Sequence, residues 1–297
     1  MTVNDGQVEL LTNFVCAAKA KDLDISNLLV VATDTSTYNF VKNTLGIEAF
    51  YNEENFASLS SEEAKFYGDN KFADMMYAKV VSVLLVNSLG YDVLFQDVDI
   101  VWYKHPLSLL HGKNFYTDRD IIFQDDGARS GRFGTSFANS GFYYAKSNDM
   151  TRYLFTSLLY STDIILQSGS HQQVLAAIMN GHSSMYGLRL KILNKKDFPC
   201  GSIFHRKRDY MKRIAKGEFT PYLFHMNWTK NKDDKIKYME QMGMWYTRIN
   251  DDNSGTKQSI ENLCVPQPLT RCHYKDKPSI IPCEDSPNID EGGRPFW

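Results

Sequence analysis

The chain has 297 residues, of which 23% are charged and 43% are hydrophobic, and its formal net charge is −2. This balance argues against a nucleic-acid-binding protein, because such proteins neutralise phosphates with a clear excess of lysine and arginine. The length suits one large α/β domain with at most a small appendage. No apolar run reaches the roughly 18 residues that a membrane-spanning helix needs.

The N-terminal third of the chain alternates between helical and strand patterns. Hydrophobic periodicity predicts helices at residues 7–20, 37–45 and 74–89, and strands at residues 28–32, 47–51 and 91–95. This order and spacing indicate a parallel sheet with right-handed crossovers. In open sheets of this kind ligands bind beyond the carboxyl ends of the strands, which is where Asp34, Asp97 and Asp99 lie.

The rest of the chain continues the α/β pattern. The predicted strands are residues 120–123, 139–145, 188–193 and 222–227, and the predicted helices are 150–161, 171–179 and 233–242. Residues 127–136 are expected to form a loop. Gly181 is expected to end the predicted helix at residues 171–179. From residue 250 onward the chain is polar and interrupted by proline. We therefore expect one domain over residues 1–249 and an irregular tail over residues 250–297.

Asp97 and Asp99 follow an apolar strand and are separated by one residue. Residues at positions i and i+2 of a strand project to the same side, so the two carboxylates repel each other unless a cation lies between them. Two carboxylates suit Mg²⁺ or Mn²⁺, whose remaining positions are filled by water and substrate phosphates. The alternative interpretation is a solvated turn after a strand, because aspartate is a common turn residue.

His225 lies at the tip of the last predicted strand, a position from which a third metal ligand can come. The alternative is a hydrogen-bonded core histidine. Three lysines, Lys230, Lys232 and Lys235, lie around the start of the next helix. Because cations there oppose the helix dipole unless an anion is bound, the pattern indicates either a phosphate site or a solvated, lysine-rich helix start.

The five cysteines fall into two groups. Cys16 and Cys200 lie in apolar surroundings and are expected to be buried free thiols. Cys264, Cys272 and Cys283 lie in the proline-rich tail, where one disulfide among the three would staple the tail in an oxidising compartment. A zinc site is less favoured, because the chain contains no Cys-x-x-Cys pair.

Four segments of the chain resemble conserved parts of the nucleotide-diphospho-sugar transferases of glycosyltransferase family 77. They occur in the family's order and spacing, and they are residues 90–102 around the two aspartates, 139–144, 198–201, and 225–228 with Lys235 ten residues after the histidine. The resemblance extends from about Val3 to Tyr246. Each segment alone is weak evidence for the family, whereas the four segments in this order are specific to it.

The resemblance implies a GT-A fold, an α/β architecture with a mixed, mostly parallel sheet flanked by helices. It implies transfer of a xylose-, galactose- or arabinose-type sugar from a UDP-sugar donor to a glycan or glycoprotein hydroxyl, with Mn²⁺ or Mg²⁺ as cofactor. It also implies a retaining reaction, for which we expect front-face attack by the acceptor hydroxyl. The expected location is the Golgi lumen if an N-terminal anchor precedes this chain, and the cytoplasm otherwise.

The same resemblance assigns roles position by position. Asp97, Asp99 and His225 match the metal ligands. The residues that match donor-binding positions are Thr33, Asp34, Lys79, Asp97, Asp126, Asn139, Gln173, Asn227 and Lys235. The residues expected to act in catalysis are Gln172, Asp125 and Lys235, of which Lys235 contacts the diphosphate. Either Asp125 or Asp126 is expected to face the donor sugar. The same is expected of either Gln172 or Gln173.

A non-catalytic sugar-nucleotide or glycan-binding module is the main alternative to an enzyme. Such a module needs no metal ligands, whereas all three metal positions here carry suitable side chains. A metal-dependent phosphoesterase is a second alternative, but two-metal sites use more carboxylates and histidines than this sequence groups together. The chain departs from the family at one position, since related enzymes often have Asp-Gln where this chain has His171 and Gln172.

Overall fold

The fold is known from a computed structural model, which describes residues 1–112, 118–127, 137–248 and 259–271. Nine residues of the loop expected at 127–136 lie outside these ranges, as do Cys272 and Cys283. The described residues contain helices and strands in alternation, as the sequence predicts.

The strands are short, and eleven of them lie in the described part of the chain. They are β1 (Thr2–Val3), β2 (Leu29–Ala32), β3 (Glu48–Phe50), β4 (Val93–Gln96), β5 (Ile100–Trp102), β6 (Ile121–Asp125), β7 (Ala138–Ala145), β8 (Leu190–Ile192), β9 (Leu223–His225), β10 (Trp245–Thr247) and β11 (Cys264–Leu269).

Twelve α-helices accompany the strands within the same ranges. They are α1 (Val8–Ala20), α2 (Thr35–Phe40), α3 (Glu53–Phe56), α4 (Asn70–Ser88), α5 (Leu107–Leu110), α6 (Asp149–Tyr160), α7 (Thr162–Ser168), α8 (His171–Tyr186), α9 (Gly201–Arg206), α10 (Arg208–Ala215), α11 (Lys232–Gln241) and α12 (Ile260–Leu263). A 3₁₀ turn at Asp5–Gln7 precedes α1, and a π turn at Val41–Leu45 continues α2.

Two helix boundaries differ from the prediction for identifiable reasons. α4 begins at Asn70 instead of residue 74, because the Asp69 carboxylate accepts a hydrogen bond from the Phe72 amide and caps the helix. α8 continues through Gly181 to Tyr186, and Gly187 caps its end with a φ of +79°, in the left-handed conformation. The prediction that Gly181 ends this helix is wrong, since an interior glycine costs only about 1 kcal/mol.

The strands form a mixed set of ladders. β1, β2 and β3 pair in parallel, which confirms the parallel arrangement predicted for residues 28–32 and 47–51. The third strand of the predicted parallel unit, residues 91–95, lies instead in another sheet as β4. A four-stranded sheet has the order β4-β7-β6-β8, in which β7 is antiparallel to both neighbours and β6 is parallel to β8. β5 pairs antiparallel with β9. The mixed α/β class is therefore confirmed, with β4 joined to β7 by an antiparallel ladder.

The four-stranded sheet separates two hydrophobic clusters. Phe142 and Tyr144 of β7 pack in one cluster, with α1, α10, α11 and strands β5 and β9. Tyr143 of the same strand packs in the other cluster, with α4, α6 and α8. Successive residues of a strand point to opposite faces, so the apolar run at residues 142–145 of β7 is explained by burial on both sides.

The tail differs from the prediction. Its described residues include α12 and β11, and β11 pairs antiparallel with β10. Cys264, at the start of β11, forms a disulfide with Cys16 of α1, with their Cα atoms 5.0 Å apart. The expectation that Cys16 is a free thiol is therefore wrong. Of the three tail cysteines among which one disulfide was expected, Cys264 is bonded outside the group, and the other two lie outside the described residues. Cys200 is a buried free thiol, as predicted.

None of the helices in the described ranges combines the length and the apolar character that crossing a bilayer requires.

Candidate active site

The pairing of β5 with β9 brings the acidic pair and the histidine together. Ile100 is paired with His225 in the antiparallel register, and the Met226 amide donates to the Asp99 carbonyl at 2.9 Å. Asp99 directly precedes β5, so this register places its side chain beside the imidazole. Asp97 is held from the other side, since its amide donates to the Gly141 carbonyl of β7 at 2.8 Å.

Asp97, Asp99 and His225 form a compact cluster of possible metal ligands. One ligand atom from each lies within 4.8 Å of the other two, and His225 Nε2 is 3.2 Å from Asp99 Oδ1. Asp97 Oδ1, Asp99 Oδ1 and His225 Nε2 are buried, and none has a hydrogen-bond partner among the described residues. Two carboxylates and one imidazole with unused lone pairs fit a divalent cation, and Mn²⁺ accepts this mixture of oxygen and nitrogen ligands.

The orientation of the imidazole is fixed by Gln124 of β6, a residue that sequence reasoning missed. The Gln124 amide nitrogen donates to the carbonyls of Phe198 and Pro199 at 3.1 and 3.0 Å. Its oxygen therefore faces His225 Nδ1, 2.8 Å away, and this contact assigns the proton to Nδ1. The Nε2 lone pair is then directed at the acidic pair, as in metal-bound histidines.

Two lysines neutralise the acidic pair. Lys79 Nζ of α4 lies 2.6 Å from Asp97 Oδ1, at ion-pair distance but outside hydrogen-bond angles, and Lys235 Nζ of α11 lies 2.7 Å from Asp99 Oδ2. Burial acts to raise the pKa of the Asp99 carboxyl, but the Lys235 ammonium and the neighbouring His225 ring hold that pKa well below its usual range. Asp99 is therefore ionised in the fold.

Gly141, in the family-like segment 139–144, lies directly against the ligand cluster, and the space that a side chain would need there is already filled. A Cβ at this position would lie 2.6 Å from Asp97 Oδ2, 2.6 Å from His225 Cε1 and 2.9 Å from Asn139 Oδ1. Any larger residue would displace the ligand cluster, so glycine is required here for space.

The segment 198–201 supports the strand that carries His225. The His225 amide donates to the Pro199 carbonyl at 3.2 Å, and the Gly201 amide donates to Asn227 Oδ1 at 2.8 Å. A Cβ on Gly201 would lie 1.7 Å from the Asn227 carbonyl oxygen, so only glycine permits this approach. This motif therefore supports the cluster of possible metal ligands.

The ligand cluster opens into a cavity of about 930 Å³, large enough for a nucleotide-bound sugar. Many side chains that the sequence predicts for the site line this cavity, namely Lys79, Asp97, Asp99, Asp126, Asn139, Gln172, Gln173, His225, Asn227 and Lys235. The same cavity is lined by Lys232, whose ammonium group pairs with Glu63 and hydrogen-bonds the Gly6 carbonyl.

Two amide side chains and one carboxyl group lie in the same cavity as the three possible metal ligands. Asn139 Nδ2 donates to Asp126 Oδ1 at 2.6 Å, and Gln172 Oε1 accepts from the amide and hydroxyl of Ser140 at 3.0 and 3.2 Å. Burial raises the pKa of the Asp126 carboxyl to about 6, against the opposing effects of Asn139, His225 and Gln172. These groups suit hydrogen bonding to sugar hydroxyls.

Three predicted site residues lie elsewhere. The Asp34 carboxylate accepts from the amide and hydroxyl of Thr37 and from the Asp5 amide, so it caps α2 and holds the 3₁₀ turn. Thr33 is buried against the Val3 carbonyl. Neither residue lines the cavity, and neither does Asp125, whose carboxylate accepts from the Gly127 amide at 2.7 Å. Of the two neighbouring acids, Asp126 is therefore the one in the cavity.

Side chains in β1 and directly after it were missed by sequence reasoning. Thr2, Asn4 and Gln7 line the cavity, and their buried atoms Thr2 Oγ1, Asn4 Oδ1 and Gln7 Oε1 lack hydrogen-bond partners within the described ranges. A strand of two residues is too short to show hydrophobic alternation, so the sequence pattern could not predict β1. Its carboxyl end is nevertheless where ligands bind in parallel sheets.

His171 occupies the position where related enzymes often carry aspartate, and it is uncharged. It is buried at the start of α8, with Nδ1 3.0 Å from the Met76 sulfur. Burial, with a smaller contribution from Lys79, lowers the pKa of the imidazole to about 3. The site therefore has no charge at this position at neutral pH.

The fold and the site define an α/β protein with a cavity suited to a divalent cation and a phosphate-bearing ligand. The sequence profile of the family described as nucleotide-diphospho-sugar transferase matches residues 24–239. The chain belongs to this family, as the four motifs indicate.

Curated relatives agree with this assignment. The chain is 24% identical over 302 residues to UDP-galactose:fucoside alpha-3-galactosyltransferase of Dictyostelium discoideum, a match covering 87% of this chain and 44% of that protein. It is 25% identical to a beta-arabinofuranosyltransferase of Arabidopsis thaliana, with coverages of 80% and 45%. It is 22% identical to an Arabidopsis UDP-D-xylose:L-fucose alpha-1,3-D-xylosyltransferase, with coverages of 63% and 54%. The chain spans about half the length of these relatives.

Proposed function

We propose that this chain is a retaining, Mn²⁺-dependent glycosyltransferase that moves a sugar from a UDP-sugar to a glycan hydroxyl. The observation that carries the proposal is the convergence of Asp97, Asp99 and His225, with unused ligand atoms, beside Lys235 in a cavity of about 930 Å³. Family membership supports the same class of reaction.

The three clustered side chains would hold the metal ion. A bound divalent cation supplies electrostatic stabilisation to the negative charge that builds on the diphosphate as it leaves. Lys235 and Lys79 already lie beside the two carboxylates. We propose that Lys235 turns to the diphosphate when the donor binds, and that it stabilises the same developing charge.

We propose that the sugar of the donor occupies the end of the cavity lined by Asp126, Asn139 and Gln172. In the transfer step the bond between the anomeric carbon and the β-phosphate oxygen breaks, and a bond to the acceptor oxygen forms on the same face. The acceptor hydroxyl proton passes to the departing phosphate. The Gln172 amide, held by Ser140, lies where a polar group can stabilise the reacting sugar.

We place the uridine beside Thr2, Asn4 and Gln7, which line the same cavity. Their unpaired buried oxygen atoms offer acceptors to the donor groups of a base and a ribose. This replaces the donor-binding role expected of Thr33 and Asp34, which lie outside the cavity lining.

The relatives suggest which substrates to test first. Two of the three reported above act on fucosides by name, with galactose or xylose as the transferred sugar. We therefore propose an L-fucoside acceptor with UDP-galactose or UDP-xylose as donor. The Cys16–Cys264 disulfide supports an oxidising compartment, and we propose the Golgi lumen over the cytoplasm.

The experiment is UDP release from UDP-xylose or UDP-galactose with Mn²⁺ and a fucoside acceptor. The wild-type chain should release UDP, and Asp99→Ala should abolish release while the far-ultraviolet circular dichroism spectrum stays unchanged. A chain that binds UDP without turnover would be a non-catalytic binding module. Undiminished release by Asp99→Ala would refute the metal assignment.

A further inference from the structure

Residues 60–69 are called the strap here, and residues 63–67 of the strap line the cavity. One end is seated on the segment after β1. Asn4 Nδ2 donates to the carbonyls of Ser60 and Glu62 at 3.2 and 2.9 Å. Gly6 packs so closely that a Cβ there would lie 2.3 Å from a backbone nitrogen of the strap. This end of the strap is therefore fixed beside the proposed uridine site.

The other end of the strap is built into α4 and the start of α8. The Asp69 carboxylate accepts from the amides of Lys65 and Phe72, at 2.7 and 2.8 Å. Gly68, with a φ of +86°, turns the chain and lies against Gly169, where a Cβ would be 2.9 Å from the Gly68 Cα. The strap is thus held at both ends by contacts that fix its backbone.

Between these ends the strap presents two aromatic side chains at the cavity. Phe66 is 61% exposed and Tyr67 is 56% exposed, and both line the cavity. The Tyr67 ring packs on Phe72, with ring centroids 4.6 Å apart, and its hydroxyl interacts with Ser170 and Gln173. Gln173 follows Gln172 in α8, so the Tyr67 hydroxyl lies near the start of the helix that carries Gln172, and Phe66 is the preceding residue of the strap.

We propose that Phe66 and Tyr67 form the acceptor subsite, where the apolar face and C6 methyl group of an L-fucoside pack against the aromatic rings. This inference rests on the proposed function and specifies the acceptor of the same site. The subsite has the two properties that such recognition needs, a rigid support and exposed aromatic surface next to the reacting sugar. Trp228, whose indole nitrogen donates to the Asp126 carbonyl, adds a further aromatic side chain to the cavity lining, whereas the side chains of Asp126, Asn139 and Gln172 suit hydroxyls.

A 6-deoxy sugar and its 6-hydroxy counterpart test this subsite directly. L-galactose is L-fucose with a hydroxyl on C6, so the p-nitrophenyl α-L-glycosides of the two sugars differ by one oxygen atom. UDP release with Mn²⁺ and UDP-xylose or UDP-galactose gives kcat/KM for each acceptor. The wild-type chain should prefer the fucoside by roughly tenfold or more, as apolar pockets do for small groups.

Phe66→Ala should raise the KM for the fucoside by roughly tenfold and reduce the preference to within about threefold, with a smaller change in the KM for the UDP-sugar. Phe66→Trp, which keeps an aromatic face, should retain the preference. Tyr160→Ala is the matched control, since it removes an 86% exposed ring on α6. It should behave as the wild type.

The outcomes separate the two proposals. No UDP release by the wild-type chain with any of these pairs would overturn the proposed function and the acceptor subsite together. Turnover with equal use of both acceptors, or a preference that Phe66→Ala leaves intact, would overturn the subsite alone. A loss of preference in Phe66→Ala that Phe66→Trp restores supports it.

Discussion

His225 can offer Nε2 to the acidic pair because Gln124 fixes its other ring nitrogen. The Gln124 amide cannot turn over without losing both of its bonds to the carbonyls of Phe198 and Pro199. The proton on Nδ1 and the direction of the ring are therefore set by a residue that does not itself line the cavity. Outer contacts of this kind commonly determine how tightly a metal is held.

The first prediction concerns Gln124→Leu. This change removes the acceptor for the Nδ1 proton and the two donations that anchor the side chain. We expect Mn²⁺ affinity to fall by about 10–100-fold, because the imidazole loses its fixed orientation. Isothermal titration of Mn²⁺ in the presence of UDP measures the change. An affinity equal to that of the wild type would show that His225 needs no such support.

The second prediction uses the raised pKa of Asp126. Burial raises this pKa to about 6 in the folded chain, so the folded state binds the proton more tightly than the unfolded state. The free energy of unfolding should therefore fall as the pH rises from about 4 to about 6. Asp126→Asn removes the buried charge and should stabilise the fold by about 1–3 kcal/mol above that window.

Urea unfolding with a chelator, at about pH 4.5 and about pH 7.5, measures this difference. The free energies of unfolding of the wild type and Asp126→Asn should differ less at the lower pH, where the Asp126 carboxyl is mostly protonated in the fold. A difference in stability that is the same at both pH values would contradict the prediction. The same variant should lose transfer activity if Asp126 binds the donor sugar.

Single residues show how far the sequence could predict the site. The Asp97–Asp99 pair, His225 and Lys235 follow from local patterns and the family resemblance, and the structure brings all four together. Asp34 was expected to bind the donor because it follows a strand, yet aspartate before a helix is also a preferred N-cap. The structure uses it as a cap.

At the scale of elements, the sequence predicts what is local and misses what depends on pairing. Helices and strands follow from hydrophobic periods within a few residues. The antiparallel pairing of β4 with β7, and of β5 with β9, joins segments far apart in the chain. No local pattern specifies these partner strands. The clustering of Asp97, Asp99 and His225 depends on both pairings.

The disulfide is another pairing between distant elements, since Cys16 and Cys264 are 248 positions apart. It fastens β11 to α1, and β11 in turn pairs with β10. Sequence reasoning grouped Cys264 with the nearer tail cysteines, because proximity along the chain was the only guide. α1 packs on both β10 and β11, which explains the partner that the structure selects.

The third prediction is that Cys16→Ala with Cys264→Ala lowers the free energy of unfolding by about 2–5 kcal/mol, as the loss of a native disulfide does. Denaturant unfolding with and without a reductant measures it. Reductant should destabilise the wild type and leave the double variant unchanged. Cys200→Ala, which alters a free thiol, is the control and should keep its sensitivity to reductant.

At the scale of the whole molecule, the α/β class was predictable because alternating helices and strands need few tertiary details. The two clusters on either face of the central sheet bury the strands that carry the site. The position of the cavity at strand ends follows the general rule for such sheets. The boundary predicted near residue 249 stays a prediction, although the β10–β11 pairing connects residues on both of its sides.

The most direct test of the account is the stoichiometry and affinity of Mn²⁺ binding, measured by electron paramagnetic resonance in the presence of UDP. We predict one tightly bound ion per wild-type chain, and a loss of that ion in Asp99→Ala and in His225→Ala at unchanged secondary structure. Binding of Mn²⁺ by both variants with wild-type affinity would contradict the claim that these side chains converge on one metal ion.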